Sequence, residues 1–133
     1  KKLNFLNTLV ILFLERLNMF NDIEHIAKVC HEANRAFCES MGDFSQVHWN
    51  QIPGWQHDSI VEGVAFIMEN PEAGPEASHE AWMQHKLDNG WKYGPIKDHI
   101  SKTHPCLVPF DQLTPEHKAK DYIFRGIVLS FIS

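Results

Sequence analysis

The first clear hydrophobic pattern in the chain is a stripe with helical spacing between residues 21 and 42. Its apolar side chains recur at intervals of three and four, as the buried face of an amphipathic helix does. They are Ile23, Ile26, Ala27, Cys30, Ala33, Phe37 and Met41. Asn21 and Glu24 have the spacing of a capping box, and Gly42 is a typical helix stop. The pattern predicts a first helix that begins at Asn21 and ends at Gly42.

Two more helices are predicted in the middle of the chain. The second runs from about Trp55 to Asn70, with apolar positions at Ile60, Val64, Ile67 and Met68. A proline follows Asn70 and disfavours a helical conformation at that residue, so the helix ends there. The third helix opens near Pro75 or Ser78 and is closed by Gly90.

The last helix has a strong start signal. Thr114 supplies a capping hydroxyl and Pro115 fits the first turn, which predicts a helix from there to residue 133. Between the last two helices, prolines and glycines predict a long ordered loop with a short strand around Cys106 to Val108. The predicted fold class is therefore mostly α: a single small helical domain with a long ordered loop, holding a short β element, between the last two helices.

Residues 1–18 fit this domain poorly. The apolar run from Leu9 to Leu14 is far shorter than the roughly 20 residues that span a bilayer. Two lysines before it resemble a signal peptide, but Glu15 and Arg16 follow at once, without a small-residue cleavage site. We interpret residues 1–18 as a non-native or leader extension, because codons for residues 14–16 can form a ribosome-binding site before Met19. A signal or anchor and an amphipathic docking helix are the alternatives.

Composition and charge narrow the function classes. The chain has 133 residues, 44% of them hydrophobic, which fits one compact soluble domain. Its net charge is −5, and no basic run is present, so non-specific nucleic-acid binding is not expected. The three cysteines form no paired framework, which indicates reduced thiols and a cytoplasmic location. No membrane partner is expected.

Catalytic and metal chemistry have little support in the sequence. The histidines show no zinc-binding spacing, so no metal site and no cofactor are predicted. Cys106 stands before Leu107 and Val108, which favours a buried, inert thiol over a nucleophile. We therefore expect a protein that is not an enzyme, and keep an enzyme acting on a nucleotide as the weaker alternative.

An aromatic and basic cluster is the main candidate for function. Its members are Trp82, Trp91, Tyr93, Lys86, Lys92, Lys97 and Lys102. Aromatic faces stack on nucleobases and lysines pair with phosphates, so the cluster points to a nucleotide-type ligand. The alternative is that the tryptophans belong to the core.

Several short motifs in fixed order resemble the RyR domain, the repeat of ryanodine receptors. They are HEAW at 79–82, GWKYG at 90–94, KD at 97–98, HPCLVPF at 104–110 and KAKD at 118–121. The resemblance covers about His79 to Arg125, and the whole is similar to small bacterial and phage RyR-domain proteins. Phe110 and Tyr122 depart from it, since the repeat often has tyrosine and arginine there. The predicted organisation is an extension (1–18), an N-terminal helical region (19–72) and an RyR-like repeat (73–133).

The resemblance implies a module that holds an adenine nucleotide. It places Trp82 as the stacking face and implies a ligand-binding set of Trp82, Trp91, Tyr93, Lys97, Asp98, His104 and Arg125. We expect a non-enzymatic cytoplasmic protein that recognises an adenine-nucleotide-derived signal, as a sensor or as a phage sponge in the host cytoplasm. The alternative is a protein–protein interaction or homo-oligomerisation module, using apolar surface near Trp49 and Trp55 or the last helix.

Overall fold

The computed structural model describes residues 5–132, apart from the side chains of residues 17–21. Its helices are α1 (Phe5–Ser40), α2 (Gly54–Glu69), α3 (Pro75–Asp88) and α4 (Pro115–Ile132). Two 3-10 turns, Trp49–Gln51 and Phe110–Gln112, and two strands, β1 (Lys92–Tyr93) and β2 (Thr103–His104), complete the described elements. The mostly α fold class is confirmed.

The core lies where α1, α2 and α4 meet. Six side chains there are almost fully buried: Ile26, Ala27, Cys30, Val64, Ile67 and Val128. Their positions follow the helical stripes in the sequence, because one face of each helix must leave water. Full burial of a large aliphatic side chain contributes about 1.5–3 kcal/mol, so these residues hold the three helices together.

The start of the first helix was predicted wrongly. The helix begins at Phe5 and passes through Asn21 without a break, so Asn21 is not an N-cap; its side chain lies outside the described residues. The leucines and charged residues that precede it are good helix formers, and propagation continues until a residue stops it. That stop is confirmed at Gly42, whose φ is +84°.

The first turns of α1 expose large apolar side chains. Every side chain from residue 5 to residue 16 is exposed, including Phe5 at 78% and Phe13 at 61%. Among the residues that the structure describes, no helix combines the length and the apolar character needed to cross a membrane.

The β element also lies elsewhere than predicted. Residues 106–108 are not a strand; instead β1 and β2 pair in parallel, with Lys92 opposite Thr103. Cys106 and Leu107 are buried as part of a turn, in which both backbone N–H groups bond to His104. Prolines on either side of this segment remove donors that a strand would need.

The loop between α3 and α4 is fixed at several points. Gly90 adopts φ +85°, and this left-handed turn reverses the chain after α3. At the far end, His79 of α3 bonds the carbonyl oxygen of Val108 at 2.7 Å through Nε2. These anchors place the loop against α2 and α3, where a pocket forms.

Candidate functional site

A small pocket lies between α2, α3 and the loop that follows α3. Its volume is about 80 Å³. It is lined by Trp55, Gln56, Ser59, Ile60, Trp82, Lys86, Trp91, Lys97 and His104. The lining thus combines three of the four tryptophans of the chain with two lysines.

Local structure explains how these side chains meet. Trp82 and Lys86 are four residues apart on α3, so they lie on the same face of the helix. After the turn at Gly90, the backbone N–H of Trp91 donates to the carbonyl oxygen of Lys86 at 3.0 Å. This bond places the indole of Trp91 beside the ammonium of Lys86. Trp55 is contributed by the first turn of α2.

Lys86 is the most unusual group of the pocket. Only 7% of its surface is exposed, and its Nζ lies 4.7 Å from the ring centre of Trp91 and 5.4 Å from that of Trp55. Among the described residues it has neither a hydrogen-bond acceptor nor a carboxylate partner. Burial, followed by repulsion from Lys97, lowers the pKa of its ammonium. Glu62 offsets this in part, but its carboxylate is paired with His85 at 3.2 Å.

Lys97 brings a second positive charge to the mouth of the pocket. Its side chain as a whole is exposed, while its Nζ lies 6.0 Å from the ring centre of Trp55. Desolvation, and then repulsion from Lys120, lower the pKa of the Lys97 ammonium. Lys97 is thus exposed as a residue, while its ammonium is desolvated beside the pocket lining.

His104 closes the inner side of the pocket. Its ring centre lies 5.0 Å from that of Trp82, with the two rings at 76°. Desolvation, and then repulsion from Lys97 and Lys86, lower the pKa of His104 to about 4. The imidazole is therefore neutral around pH 7.

Sequence reasoning assigned no ligand role to Trp55 and His99, and it placed Lys86 in the aromatic and basic cluster but not in the ligand-binding set. Lys86 stands four residues after Trp82, and this spacing was the signal that could have added it to the ligand-binding set. His99 stacks on Trp55, with ring centres 4.4 Å apart and planes 7° from parallel. No local pattern marks Trp55 or His99, because they meet only after the loop folds onto α2.

Four of the predicted ligand-binding residues line the pocket, namely Trp82, Trp91, Lys97 and His104. The other three lie outside its lining. Tyr93 is 59% exposed on β1. Asp98 accepts bonds from the Ile100 N–H and the Ser101 hydroxyl, at 3.0 and 2.8 Å, within its own loop. Arg125 donates to the backbone carbonyl oxygens of Ala73 and Pro71 and thereby ties α4 to the turn between α2 and α3.

A second hollow of about 120 Å³ lies between α1 and α4. Its charged lining consists of Lys120 and Asp121, whose opposite charges attract each other. Desolvation raises the pKa of Asp121 to about 6. This hollow has no excess of positive charge, so the pocket with Lys86 is the better site for an anion.

Residues 67–128 match the family model of the RyR domain. The matched interval contains α3, both strands and most of α4, and with them every lining residue of the pocket from Trp82 onward. Trp55 lies before the match, so a residue outside the family interval completes the aromatic lining. The resemblance carried by the short motifs is confirmed, since residues 67–128 of this chain match the RyR domain.

Proposed function

We propose that the pocket binds a small anionic ligand that carries a planar ring, of the kind found in adenine-nucleotide-derived signals. The observation that carries this proposal is Lys86, a nearly buried lysine whose ammonium lies beside two indoles without an anionic partner among the described residues. The protein acts as a binding module, without turnover of its ligand.

The cost of burying the charge of Lys86 favours the binding of an anionic ligand. A buried charge is costly unless it is paired, and two indole faces replace only part of its hydration. A phosphate or pyrophosphate oxygen would supply the absent charge and accept the N–H groups of the ammonium. Lys97 at the mouth would meet a second anionic oxygen.

The tryptophans supply the other half of the recognition. Trp82 is half-buried, and its indole forms part of the pocket lining. A flat ring that stacks on an indole gains about 1–3 kcal/mol. At about 80 Å³ the pocket holds a ring or a phosphoryl group. We therefore expect the remainder of the ligand to lie at the mouth, beside Lys97.

Calorimetric titration tests the proposal. The ligands are AMP, ADP and cyclic ADP-ribose, with ribose 5-phosphate and adenosine as probes that lack the ring or the charge. We expect binding only where ring and phosphate occur together. Trp82→Ala should weaken it by about tenfold or more. Lys97→Ala should weaken it less, and chiefly at low salt, because screening is weakest there.

Lys92→Ala is the matched control for Lys97→Ala. Both lysines are exposed and lie on the same loop, but only Lys97 lines the pocket. Equal losses in the two variants would indicate a general charge effect and not a site. Failure of every nucleotide to bind the wild type at about 1 mM would refute the proposal.

A second function is favoured by a separate observation, the exposed apolar start of α1. Leu9, Ile11 and Phe13 are 45%, 43% and 61% exposed, which is unusual for a free surface. Such a helix can bind a partner protein or a second copy of the chain. Light scattering at several concentrations, without ligand, tests this: a mass that does not change and equals one chain would exclude self-association.

A sensor or sponge acting in the cytoplasm of a bacterium, or of a host infected by a phage, is the biological role that fits the first proposal. The role needs only tight, reversible capture of the ligand. It would be supported if the protein, mixed with a nucleotide at a known concentration, lowers the free nucleotide without changing its total.

A further inference from the structure

We infer that His104 reads the edge of the ligand's ring, as a fixed hydrogen-bond donor through Nε2. The site would then select planar rings that present an in-plane acceptor, an unprotonated ring nitrogen or a carbonyl oxygen. This inference rests on the proposed function, since it assigns the ring of that ligand its partner in the pocket.

The tautomer of His104 follows from its backbone contact. The N–H of Cys106 donates to Nδ1 of His104 at 3.0 Å, so Nδ1 carries no proton. A neutral imidazole has one N–H, and it must therefore be on Nε2. The contact is made within the turn that follows β2, and it fixes the ring as well as the tautomer.

The Nε2–H group is free to meet a ligand. Among the described residues it has no hydrogen-bond partner, and the ring of His104 contributes to the pocket lining. Because Nδ1 faces the backbone of Cys106, Nε2 is the polar atom of this ring that remains for the pocket. It lies beside Trp82, the indole on which the ligand's ring is proposed to stack.

Other polar groups of the lining differ from His104 in kind. Lys86 and Lys97 are charges on flexible chains, which attract anions without reading a ring edge. Gln56 donates its amide to the side-chain oxygen of Gln46 at 3.2 Å and is held by that bond. Ser59 and the indole N–H groups of the lining are the other neutral donors. His104 differs from them because a backbone hydrogen bond fixes both its ring and its tautomer.

The surroundings of His104 keep its imidazole neutral, so that Nε2–H remains the donor. Desolvation opposes protonation of His104, and so do the positive charges of Lys97, Lys86, His117 and Lys120. The proton count of the imidazole should therefore stay at one between about pH 5 and pH 9. Ring recognition by His104 should not change over this range.

Two substitutions separate the bond that Nδ1 accepts from the Cys106 N–H from the bond that Nε2–H is proposed to donate to the ligand. In His104→Asn, the amide oxygen can replace Nδ1 as acceptor for the Cys106 N–H, while no group replaces Nε2–H. In His104→Gln, the amide nitrogen reaches the place of Nε2, and the acceptor for Cys106 is lost. The first should fold like the wild type and bind poorly, whereas the second should lose stability and keep more of the ring selectivity.

The binding test uses ADP and its 1-deaza, 3-deaza and 7-deaza analogues, each of which replaces one ring nitrogen by C–H. We expect one analogue to bind the wild type about fivefold to tenfold more weakly than ADP. His104→Asn should bind that analogue and ADP equally. Equal affinity of the wild type for the whole series overturns the inference and leaves the proposed function intact.

Nitrogen-15 spectra of the imidazole provide a second readout, which needs no ligand. The free wild type should show a protonated Nε2 and an unprotonated Nδ1 at pH 7, and ADP should shift the Nε2 resonance. The opposite tautomer, or an Nε2 resonance that ADP leaves unchanged, overturns the inference. Absence of binding by ADP and every analogue overturns the inference and the proposed function together.

Discussion

A lysine with 7% of its surface exposed is a rare residue unless something pairs with it. In Lys86 two indoles lie close to the ammonium, and cation–π attraction is worth about 0.5–2 kcal/mol for each such contact. The ammonium still loses part of its water on folding, which lowers its pKa. We therefore expect the protein to be less stable with this residue than with an apolar one of equal shape.

Replacement of Lys86 by methionine should raise the free energy of unfolding by about 1 kcal/mol, because the desolvated charge is removed and the aliphatic packing is kept. The same variant should bind adenine nucleotides at least about tenfold more weakly. Thermal unfolding and calorimetric titration measure the two effects.

The pH dependence of stability tests whether desolvation of the Lys86 ammonium is what destabilises the wild type. Because the pKa of Lys86 is lowered in the folded state, the unfolded chain binds more protons between that lowered value and the ordinary lysine pKa. The stability of the wild type should therefore rise with pH in this alkaline window, and that of Lys86→Met should rise less. A methionine variant that is less stable than the wild type near pH 7 would show that the cation–π contacts outweigh desolvation.

At the scale of elements, the parallel pairing of β1 and β2 positions Lys97 and His104. The chain passes so close to itself there that a Cβ added at Gly94 would lie 2.7 Å from the Cβ of Thr103. Only glycine permits this approach, since real Cβ atoms do not come so near. The loop that carries Lys97 is thereby pinned to the strand that ends in His104.

Gly94→Ala should lower the free energy of unfolding by about 1–3 kcal/mol, because the strands must separate to admit the methyl group. Gly126→Ala is the matched control, as its Cβ would meet no atom within 4 Å in the middle of α4. Alanine should stabilise that helix by up to about 1 kcal/mol. Chemical denaturation of both variants measures these effects, and an unchanged midpoint for Gly94→Ala would contradict the close approach.

At the scale of the whole molecule, the RyR domain is only part of what forms the site. Residues 67–128 match the family, while Trp55 on α2 and the core face of α1 lie outside that interval. α1 from Ile23 onward packs on α2 and α4, and His57 of α2 bonds Glu24 of α1 at 2.6 Å. The domain and the preceding helices therefore share one core.

Deletion of residues 1–18 should leave this core intact. Every side chain from residue 5 to residue 16 is exposed, so the removed helix turns bury no described side chain in the core. The shortened protein should keep its helical circular dichroism and unfold within about 2 °C of the full chain. It should also associate less if the apolar turns bind a second copy.

Ile67→Ala in the shortened protein serves as the sensitivity control, because Ile67 is 2% exposed and its truncation should cost about 2–5 kcal/mol. If deletion of residues 1–18 by itself unfolds the protein or leaves it insoluble, the start of α1 is structural. The interpretation of residues 1–18 as a dispensable extension would then be wrong.

The sequence by itself determined the helices α2, α3 and α4, the stop at Gly42 and the match to the RyR domain. These features are local: periodicity, caps and short motifs are set by neighbours in the chain. It misplaced the start of α1, because a capping pair has no effect inside a helix that continues through it. It also misplaced the short strand, because a pairing of two residues with two others depends on the path of the loop between them.

Only the tertiary structure decided which side chains form the site. Trp55 meets Lys86 and Trp91 from another helix, and no spacing along the chain records this contact. The same folding turns Asp98 to its own loop and Arg125 to backbone carbonyl groups, although both belong to the expected ligand-binding set. The protonation of His104 depends on burial and on lysines distant in sequence. Charge, burial and tautomer are properties of a three-dimensional environment, and the chain acquires them only when it folds.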